Sequence, residues 1–115
     1  MFGSAKLLHS LLLLLLAEEP DYGYDLAAKL KDFGLPVKKG CSQLGRIYRV
    51  LASLEQGGYI TCAWDTSVSP PRKIYRVTGL GLRHLREAGA RMQQRADLLQ
   101  RFCRRVADLP ETTAD

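Results

Sequence analysis

The segment from residue 43 to residue 60 constrains the fold of this chain more than any other. Its apolar residues recur at intervals of three and four, which is the spacing of one buried helix face: Leu44, Ile47, Tyr48, Leu51 and Leu54. The opposite side of the same helix is mainly polar and basic, and comprises Gln43, Arg46, Arg49, Val50 and Ser53. Gly57 and Gly58 then provide a stop, because glycine accepts the left-handed conformation in which many helices end.

A short helix with an apolar back and a front of Arg, Gln and Ser suits the major groove of DNA. Arginine can bind guanine with two hydrogen bonds, glutamine can bind adenine in the same way, and both also contact phosphates. A surface helix with ordinary solvated arginines remains the alternative from this segment alone.

The location of the basic residues favours a polyanionic partner. The chain has 115 residues and a net charge of +5, of which residues 1–35 carry −2, residues 36–76 carry +5 and residues 77–115 carry +2. The excess therefore surrounds the candidate recognition helix, as expected for a protein that binds nucleic acid.

Composition indicates one soluble domain without catalytic or metal chemistry. Apolar residues make up 46% and charged residues 25%, which is ordinary for a folded domain. Three cysteines at irregular spacing give neither a disulfide framework nor a zinc pattern, and the two histidines are far apart. We expect reduced thiols in the cytoplasm, no metal, no cofactor and no enzymatic activity, since no activated nucleophile or acid–base pair is evident.

Residues 5–17 contain six consecutive leucines and resemble a secretory signal. The run is shorter than the roughly 20 apolar residues of a membrane span. Glu18-Glu19-Pro20 follows it instead of a small-residue cleavage site. We therefore expect no membrane association and a first helix buried on more than one side, by its own core and by a partner subunit.

A second amphipathic helix is predicted after Pro20, with Asp21 as its cap. Its apolar positions are Leu26, Ala27, Leu30 and Phe33. Gly34 and Pro36 follow them and end the helix. Val37–Cys41 leaves room for a short extended piece before the third helix.

Two segments rich in β-forming residues follow the third helix, namely residues 59–64 and 73–77. A polar turn with two prolines, residues 65–72, separates them. Three helices followed by a hairpin with a basic edge is the order of a winged helix-turn-helix. The predicted class is thus mainly α with a small hairpin (α+β).

Thr78 can cap a long fourth helix whose apolar residues form a heptad seam. The seam positions are spaced alternately by three and four residues, and are Leu82, Leu85, Gly89, Met92, Ala96, Leu99, Cys103 and Val106. Leu98 and Phe102 form a second strip beside it. A helix covered only by its own core is the alternative, but so short a chain has little else to cover it, so the seam favours self-association. We assign residues 1–77 to the DNA-binding domain, 78–109 to a dimerisation helix of the same compact unit and 110–115 to a flexible tail.

These segments resemble the PadR-like transcriptional regulators, specifically the shorter subclass with one C-terminal helix. The resemblance covers about residues 7–105, and three stretches carry it: residues 12–17 with Tyr22-Gly-Tyr-Asp-Leu; Gly45-Arg-Ile-Tyr-Arg-Val-Leu-Ala-Ser-Leu-Glu; and Pro70-Pro-Arg-Lys-Ile-Tyr-Arg-Val-Thr followed by Gly81. It implies a homodimeric winged-helix repressor that blocks a promoter and often releases it on binding a small molecule. The chain departs from the family's pattern at Gln43-Leu44-Gly45, where Ser-Pro-Gly is usual, at Gly79 and at Tyr22, so base preference and ligand chemistry do not carry over.

Two sets of residues are predicted to form the functional surfaces. Contacts to double-stranded DNA are assigned to Lys38, Lys39, Ser42, Gln43, Gly45, Arg46, Tyr48, Arg49, Arg72 and Lys73. Contacts to a second copy of the chain are assigned to Leu8, Leu12, Leu82, Leu85, Gly89, Met92, Ala96, Leu99, Phe102, Cys103 and Val106.

Two alternative functions remain open at this stage. One is a winged-helix module that docks a protein instead of DNA, although Arg46 and Arg49 oppose it. The other is a sensor that mainly captures a small molecule in the dimer interface, which is compatible with DNA binding. A redox role for Cys41 or Cys103 is disfavoured, and Trp64 is interpreted as a core or hinge residue.

Overall fold

In the part of the chain that the structure describes, the protein has four helices and one small antiparallel sheet, and the four helices and the hairpin of this sheet were predicted from the sequence. The computed structural model describes residues 4–35 and 43–112. The helices are α1 (Ser4–Glu18), α2 (Gly23–Phe33), α3 (Gln43–Gln56) and α4 (Gly79–Ala107), and the strands are β1 (Asp21–Tyr22), β2 (Ile60–Asp65) and β3 (Arg72–Val77). Helices α2 and α3 with the hairpin β2–β3 make a winged helix-turn-helix, so the predicted fold class is confirmed. The extended piece predicted at residues 37–41 and the last three residues of the tail lie outside the described residues.

The leucine run of α1 forms the centre of the core. Nearly every leucine of the run is buried, which confirms a helix that is covered on more than one side: Leu8, Leu11, Leu12, Leu13, Leu15 and Leu16. Leu8 and Leu12, which were assigned to the dimer interface, are only 1% and 0% exposed within the single chain. Little of either side chain is left to meet a partner subunit.

The start of α2 differs from the prediction. Asp21 does not cap the helix: the N-cap residue is Tyr22, and no side chain accepts a hydrogen bond from the first turn. Asp21 is instead drawn into the sheet, where β1 pairs with β3. The C-terminal end behaves as expected, because Gly34 adopts a left-handed conformation with a φ of 110° and donates to the carbonyls of Leu30 and Lys31.

Asp21 is a buried carboxylate held by two partners. Its Oδ1 accepts a hydrogen bond of 2.8 Å from the Tyr22 backbone N–H, and its Oδ2 lies 2.5 Å from Nζ of Lys29. The same ammonium lies 2.6 Å from Oε1 of Glu19. Hydrogen bonds to Asp21 and then Glu19 raise the pKa of Lys29 from 10.5 to about 12. This cluster ties the end of α1 and strand β1 to the middle of α2.

The buried face of α3 is rotated slightly from the predicted one. Ile47, Val50, Leu51 and Leu54 are buried, whereas Tyr48 is 43% exposed. Val50 had been placed on the outer face and Tyr48 on the inner one, and both assignments are wrong. Positions 47, 50, 51 and 54 satisfy the three-and-four spacing equally well, so packing against α1 and α2 selects between the two faces.

Phe33 was also expected to face the core. It is 59% exposed, while Leu26 and Leu30 of the same helix are buried. Phe33 is the last residue of α2, so its side chain lies beyond the part of the helix that the core covers.

The sheet contains one strand more than the predicted hairpin. Strands β2 and β3 pair antiparallel from Ile60 opposite Val77 to Asp65 opposite Arg72, which confirms the hairpin. Strand β1 adds to the other edge of β3, with Asp21 opposite Tyr75, giving the order β1-β3-β2. A strand of two residues has no periodicity from which it could be predicted.

Thr78 caps α4 as predicted. Its Oγ1 accepts a 3.1 Å hydrogen bond from the N–H of Gly81 and donates to the carbonyl of Gly58 at 2.7 Å. Gly81 has to lack a side chain, because a Cβ there would lie 2.1 Å from the carbonyl oxygen of Tyr59. The helix therefore starts in close contact with the beginning of β2.

The chain divides into two compact units between Leu85 and Arg86. The first contains the winged helix-turn-helix and the first turns of α4. The second contains the remainder of α4, on which most seam positions are exposed in the single chain. Among the described residues, no helix is both long enough and apolar enough to cross a membrane.

Candidate nucleic-acid interface

Helix α3 carries five of the seven predicted DNA contacts that the structure describes. Arg49 and Tyr48 are exposed, and Gln43, Gly45 and Arg46 are partly exposed near the start of the helix. Gly45 and Arg49 lie opposite Ile47, Leu51 and Leu54, which anchor the helix in the core. Gln43, predicted for the outer face, instead lies one turn before Ile47 on the same side of the helix. The anchoring fixes which side of α3 faces outward. Lys38, Lys39 and Ser42 were also predicted to contact DNA and lie outside the described residues.

The wing supplies a second basic surface. Arg72 and Lys73 are exposed at the first two positions of β3, directly after the turn. The guanidinium of Arg72 lies 5.6 Å from the ring centroid of Tyr22, and the ammonium of Lys73 lies 5.6 Å from that of Trp64. Such cation–π contacts restrict two long side chains that would otherwise sample many rotamers.

A hydrogen bond ties the end of β2 to the start of α2. The hydroxyl of Tyr22 donates to Oδ2 of Asp65 over 2.5 Å, while Oδ1 of Asp65 accepts from the hydroxyl and backbone N–H of Ser67. The Ser67 hydroxyl, and then Tyr22, lower the pKa of Asp65. The same bond, with burial, raises the pKa of Tyr22. Asp65 is thus a charged acceptor that orders the turn and holds the wing to the helices.

A cleft of about 270 Å³ lies between these basic surfaces. Residues 22–24 form one wall, Tyr48 of α3 another, and Trp64, Arg72 and Lys73 of the wing the third. We call it the wing cleft. Its rings and cations come from three separate elements, so the tertiary fold alone brings them together.

The sequence interpretation missed the aromatic residues of this cleft. Tyr22 and Tyr24 were interpreted only as part of a family motif, and Trp64 as a core or hinge residue, of which the placement in the core is wrong. Trp64 is in fact 63% exposed. Alternation along β2 puts it on the same face as Ile60, but it lies at the far end of the hairpin beside the turn. The sequence feature that could have indicated an exposed position for Trp64 is the pair Arg72 and Lys73 on the neighbouring strand.

The thiols show no arrangement for metal binding in the described part of the chain. Cys62 donates a 3.1 Å hydrogen bond to Oε2 of Glu55, and that carboxylate, followed by burial, raises the pKa of the Cys62 thiol. Cys103 is exposed on α4, and Cys41 lies outside the described residues. No group of three or more His, Cys, Asp or Glu side chains comes together over residues 4–35 and 43–112.

A comparison with protein families identifies the group to which this fold and surface belong. The sequence model of the Transcriptional regulator PadR-like family matches residues 12–87. The chain belongs to this family. The match extends from the leucine run of α1 through the wing to the first turns of α4, and it confirms the resemblance found in the sequence.

Solved structures of other PadR-like and related proteins have the same fold. A protein designated TM0937, described as a potential transcriptional factor of unknown function, is 43% identical with a TM-score of 0.73, covering 95% of this chain and 98% of its own. A PadR family transcriptional regulator from Eggerthella lenta is 36% identical with a TM-score of 0.70, covering 84% and 80%. A PadR-like transcription factor from Bacteroides fragilis is 30% identical with a TM-score of 0.68, covering 85% and 91%.

A search among curated proteins finds no relative that matches. The PadR-like family that matches is a family of transcriptional regulators. Membership therefore supports a DNA-binding regulator, in agreement with the basic surfaces of α3 and the wing.

Proposed function

We propose that the protein is a homodimeric transcriptional repressor that binds an inverted-repeat operator. The observation that carries the proposal is the shared placement of basic and hydrogen-bonding side chains on α3 and on the wing, on either side of the wing cleft. A DNA duplex offers a major groove for a helix and an adjacent phosphate backbone for the wing.

The α3 surface and the wing make different kinds of contact with DNA. Gln43, Arg46 and Arg49 on α3 contact base edges or phosphates in the major groove, with Gly45 allowing close approach of the backbone and Tyr48 at the edge of the contact. Arg72 and Lys73 on the wing contact the backbone or the minor groove and carry little sequence information. Lys38, Lys39 and Ser42, just before α3, contribute phosphate contacts.

A second copy of the chain covers the exposed apolar side of α4. Large apolar side chains are exposed along its C-terminal half and just beyond its end: Leu98, Leu99, Phe102, Val106 and Leu109. This exposure supports an interface, because soluble monomers rarely expose such a continuous strip. The interface continues along the seam through Met92, Gly89, Leu85 and Leu82. Two copies joined in this way present two recognition helices.

Repression follows from occupancy, because a dimer on a promoter excludes other proteins from the same DNA. Release by a small-molecule effector completes the proposal and rests on the family resemblance alone. The rival function, a module that docks a protein instead of DNA, would need an acidic or apolar outer face on α3. The exposed Arg49 and the partly exposed Arg46 argue against that face.

Selection of random duplexes by the purified protein, followed by sequencing, tests the proposed function. We expect an enriched motif with two-fold symmetry and two short half-sites. Enrichment of no motif would refute sequence-specific binding, and a single asymmetric half-site would refute the dimeric arrangement on DNA.

A further inference from the structure

The wing cleft joins the two surfaces that are proposed to contact DNA. We propose that it seats one phosphate of the operator together with its deoxyribose, so that Tyr24 and Trp64 are DNA-contacting residues. This inference rests on the proposed function, because it assumes that the chain binds duplex DNA. It adds a DNA contact in the cleft that lies between α3 and the wing. The sequence did not indicate a DNA-binding role for Tyr24 or Trp64, which would make this contact.

Charge complementarity points to an anionic occupant. Arg72 and Lys73 line the cleft, and each is placed by an aromatic ring at 5.6 Å. The nearby acid, Asp65, already accepts hydrogen bonds from Tyr22 and from Ser67. Asp65 still carries one negative charge, and it lies opposite Arg72 in the hairpin. Two cations and one carboxylate leave a net positive charge at the cleft, which a phosphate between Arg72 and Lys73 would balance.

Exposure of the rings points to an extended partner. Tyr24 is 67% exposed, Trp64 63% and Tyr48 43%. Large aromatic side chains are seldom left in water on one face without a partner. Their faces and edges can pack against the C–H groups of a deoxyribose, while tyrosine hydroxyls can donate hydrogen bonds to phosphate oxygens.

The same exposure disfavours a small ligand. Sites for small molecules usually bury about 70–90% of the ligand's surface and measure about 300–1,000 Å³. The wing cleft measures only about 270 Å³, and aromatic side chains in each of its three walls are largely exposed. It therefore cannot enclose a molecule in that way. A DNA strand needs no enclosure, because it continues beyond the cleft towards α3 on one side and the wing on the other.

The depth of the cleft depends on a glycine at the start of α2. A Cβ at Gly23 would lie 2.5 Å from Cε1 and 3.0 Å from Cζ of Tyr48. The Tyr48 ring occupies this space only because Gly23 has no side chain. A Gly23→Ala substitution would displace the Tyr48 ring from this position.

Fluorescence of Trp64 tests the contact in the intact protein. Trp64 is the only tryptophan of the chain, so its emission reports on this cleft without ambiguity. We expect a change in intensity or wavelength that saturates with the selected operator duplex at the same concentration as binding measured by anisotropy. Binding with unchanged Trp64 emission would overturn the inference and leave the proposed function standing.

Operators in which one phosphate is replaced by an uncharged analogue locate the contact on the DNA. Operators that carry a single methylphosphonate are scanned through each half-site against wild type and Tyr24→Ala. At one position the wild type should lose about tenfold in affinity, the equivalent of one charge-assisted hydrogen bond. Tyr24→Ala should lose less there, because it has no tyrosine hydrogen bond to that phosphate, although Arg72 and Lys73 remain. Phe33→Ala provides the control, since Phe33 is an equally exposed aromatic residue of α2 that does not line the cleft.

Each remaining outcome is decisive. A methylphosphonate profile identical in wild type and Tyr24→Ala would overturn the inference. A response of Trp64 to phenyl phosphate without any response to duplex DNA would also overturn it, and would make the cleft a small-anion site. A wild type that binds no duplex at all would overturn the proposed function and the inference together.

Discussion

Arg46 and Arg49 lie about one turn apart on α3, and Arg72 lies on the wing, so single substitutions can separate base reading from attraction to phosphates. Arg46→Ala should weaken operator binding by about 1–3 kcal/mol and relax the preference at one base pair of each half-site. Repeating the duplex selection with the variant measures both effects. An unchanged motif and affinity would show that Arg46 does not read bases. Arg91→Ala, an exposed arginine of α4, is the matched control.

Substitutions in the wing should act differently. Arg72→Ala or Lys73→Ala should weaken operator and random DNA to a similar extent, because a phosphate contact carries no sequence information. Each should reduce the slope of log affinity against log salt by about one. Anisotropy titrations at several salt concentrations give this slope. A loss confined to the operator would mean that the wing residue reads sequence.

Lys29 tests the buried ion pair that ties α2 to β1. Lys29→Met leaves the Asp21 carboxylate without its ammonium and should lower the free energy of unfolding by about 1–3 kcal/mol. Because the Lys29 pKa is raised from 10.5 to about 12, its contribution is fully present below about pH 10.5 and is lost as the pH rises through about 12. The difference between wild type and variant in urea unfolding should therefore stay constant from about pH 7 to 9. Lys31→Met, an exposed lysine of the same helix, is the control, and an equal loss in both variants would contradict the role of the pair.

The predicted and observed positions differ for several individual residues. The three-and-four spacing of α3 correctly predicted a helix, but it fitted both the face with Tyr48 and the face with Val50. Asp21 was assigned as a cap because Asp commonly caps helices, yet a distant strand, β3, drew it into the sheet. Trp64 looked like core because large apolar residues usually are. In all three cases the deciding contact comes from an element remote in sequence.

At the scale of elements, prediction succeeded where the signal was long or repeated. The leucine run of α1, the glycine stop after α3, the hairpin and the Thr78 cap of α4 were all predicted and found. Strand β1 was not, since two residues cannot show an alternation. The wing cleft could not be predicted either, because its three walls come from segments around residues 22–24, 48 and 64–73.

The dimer is a prediction about one element, α4. Met92→Glu together with Leu99→Glu should convert the dimer to a monomer, because each would place an unpaired carboxylate in an apolar contact. Sedimentation equilibrium gives the mass directly. Gln94→Glu adds the same charge at an exposed position outside the seam and should leave the dimer intact. A double mutant that sediments as an unchanged dimer would exclude the seam as the interface.

Dimerisation and DNA binding together impose one geometry on the operator. A two-fold dimer carries two copies of α3, and each reads only a short half-site because two or three of its side chains reach base edges. Both can enter the major groove on one face of the duplex only if their separation matches the helical repeat. The operator should thus be an inverted repeat with half-site centres roughly 10 bp apart, or a multiple of that.

Affinity for operators of altered spacing tests this geometry. Insertion of 5 bp between the half-sites turns one groove to the far side of the duplex, and affinity should fall towards that of a single half-site. Insertion of 10 bp restores the face but lengthens the span by about 34 Å, which a dimer held by a packed seam cannot bridge, so affinity should stay low. Equal affinity for all three spacings would show that the subunits bind independently, and would contradict a rigid dimeric repressor.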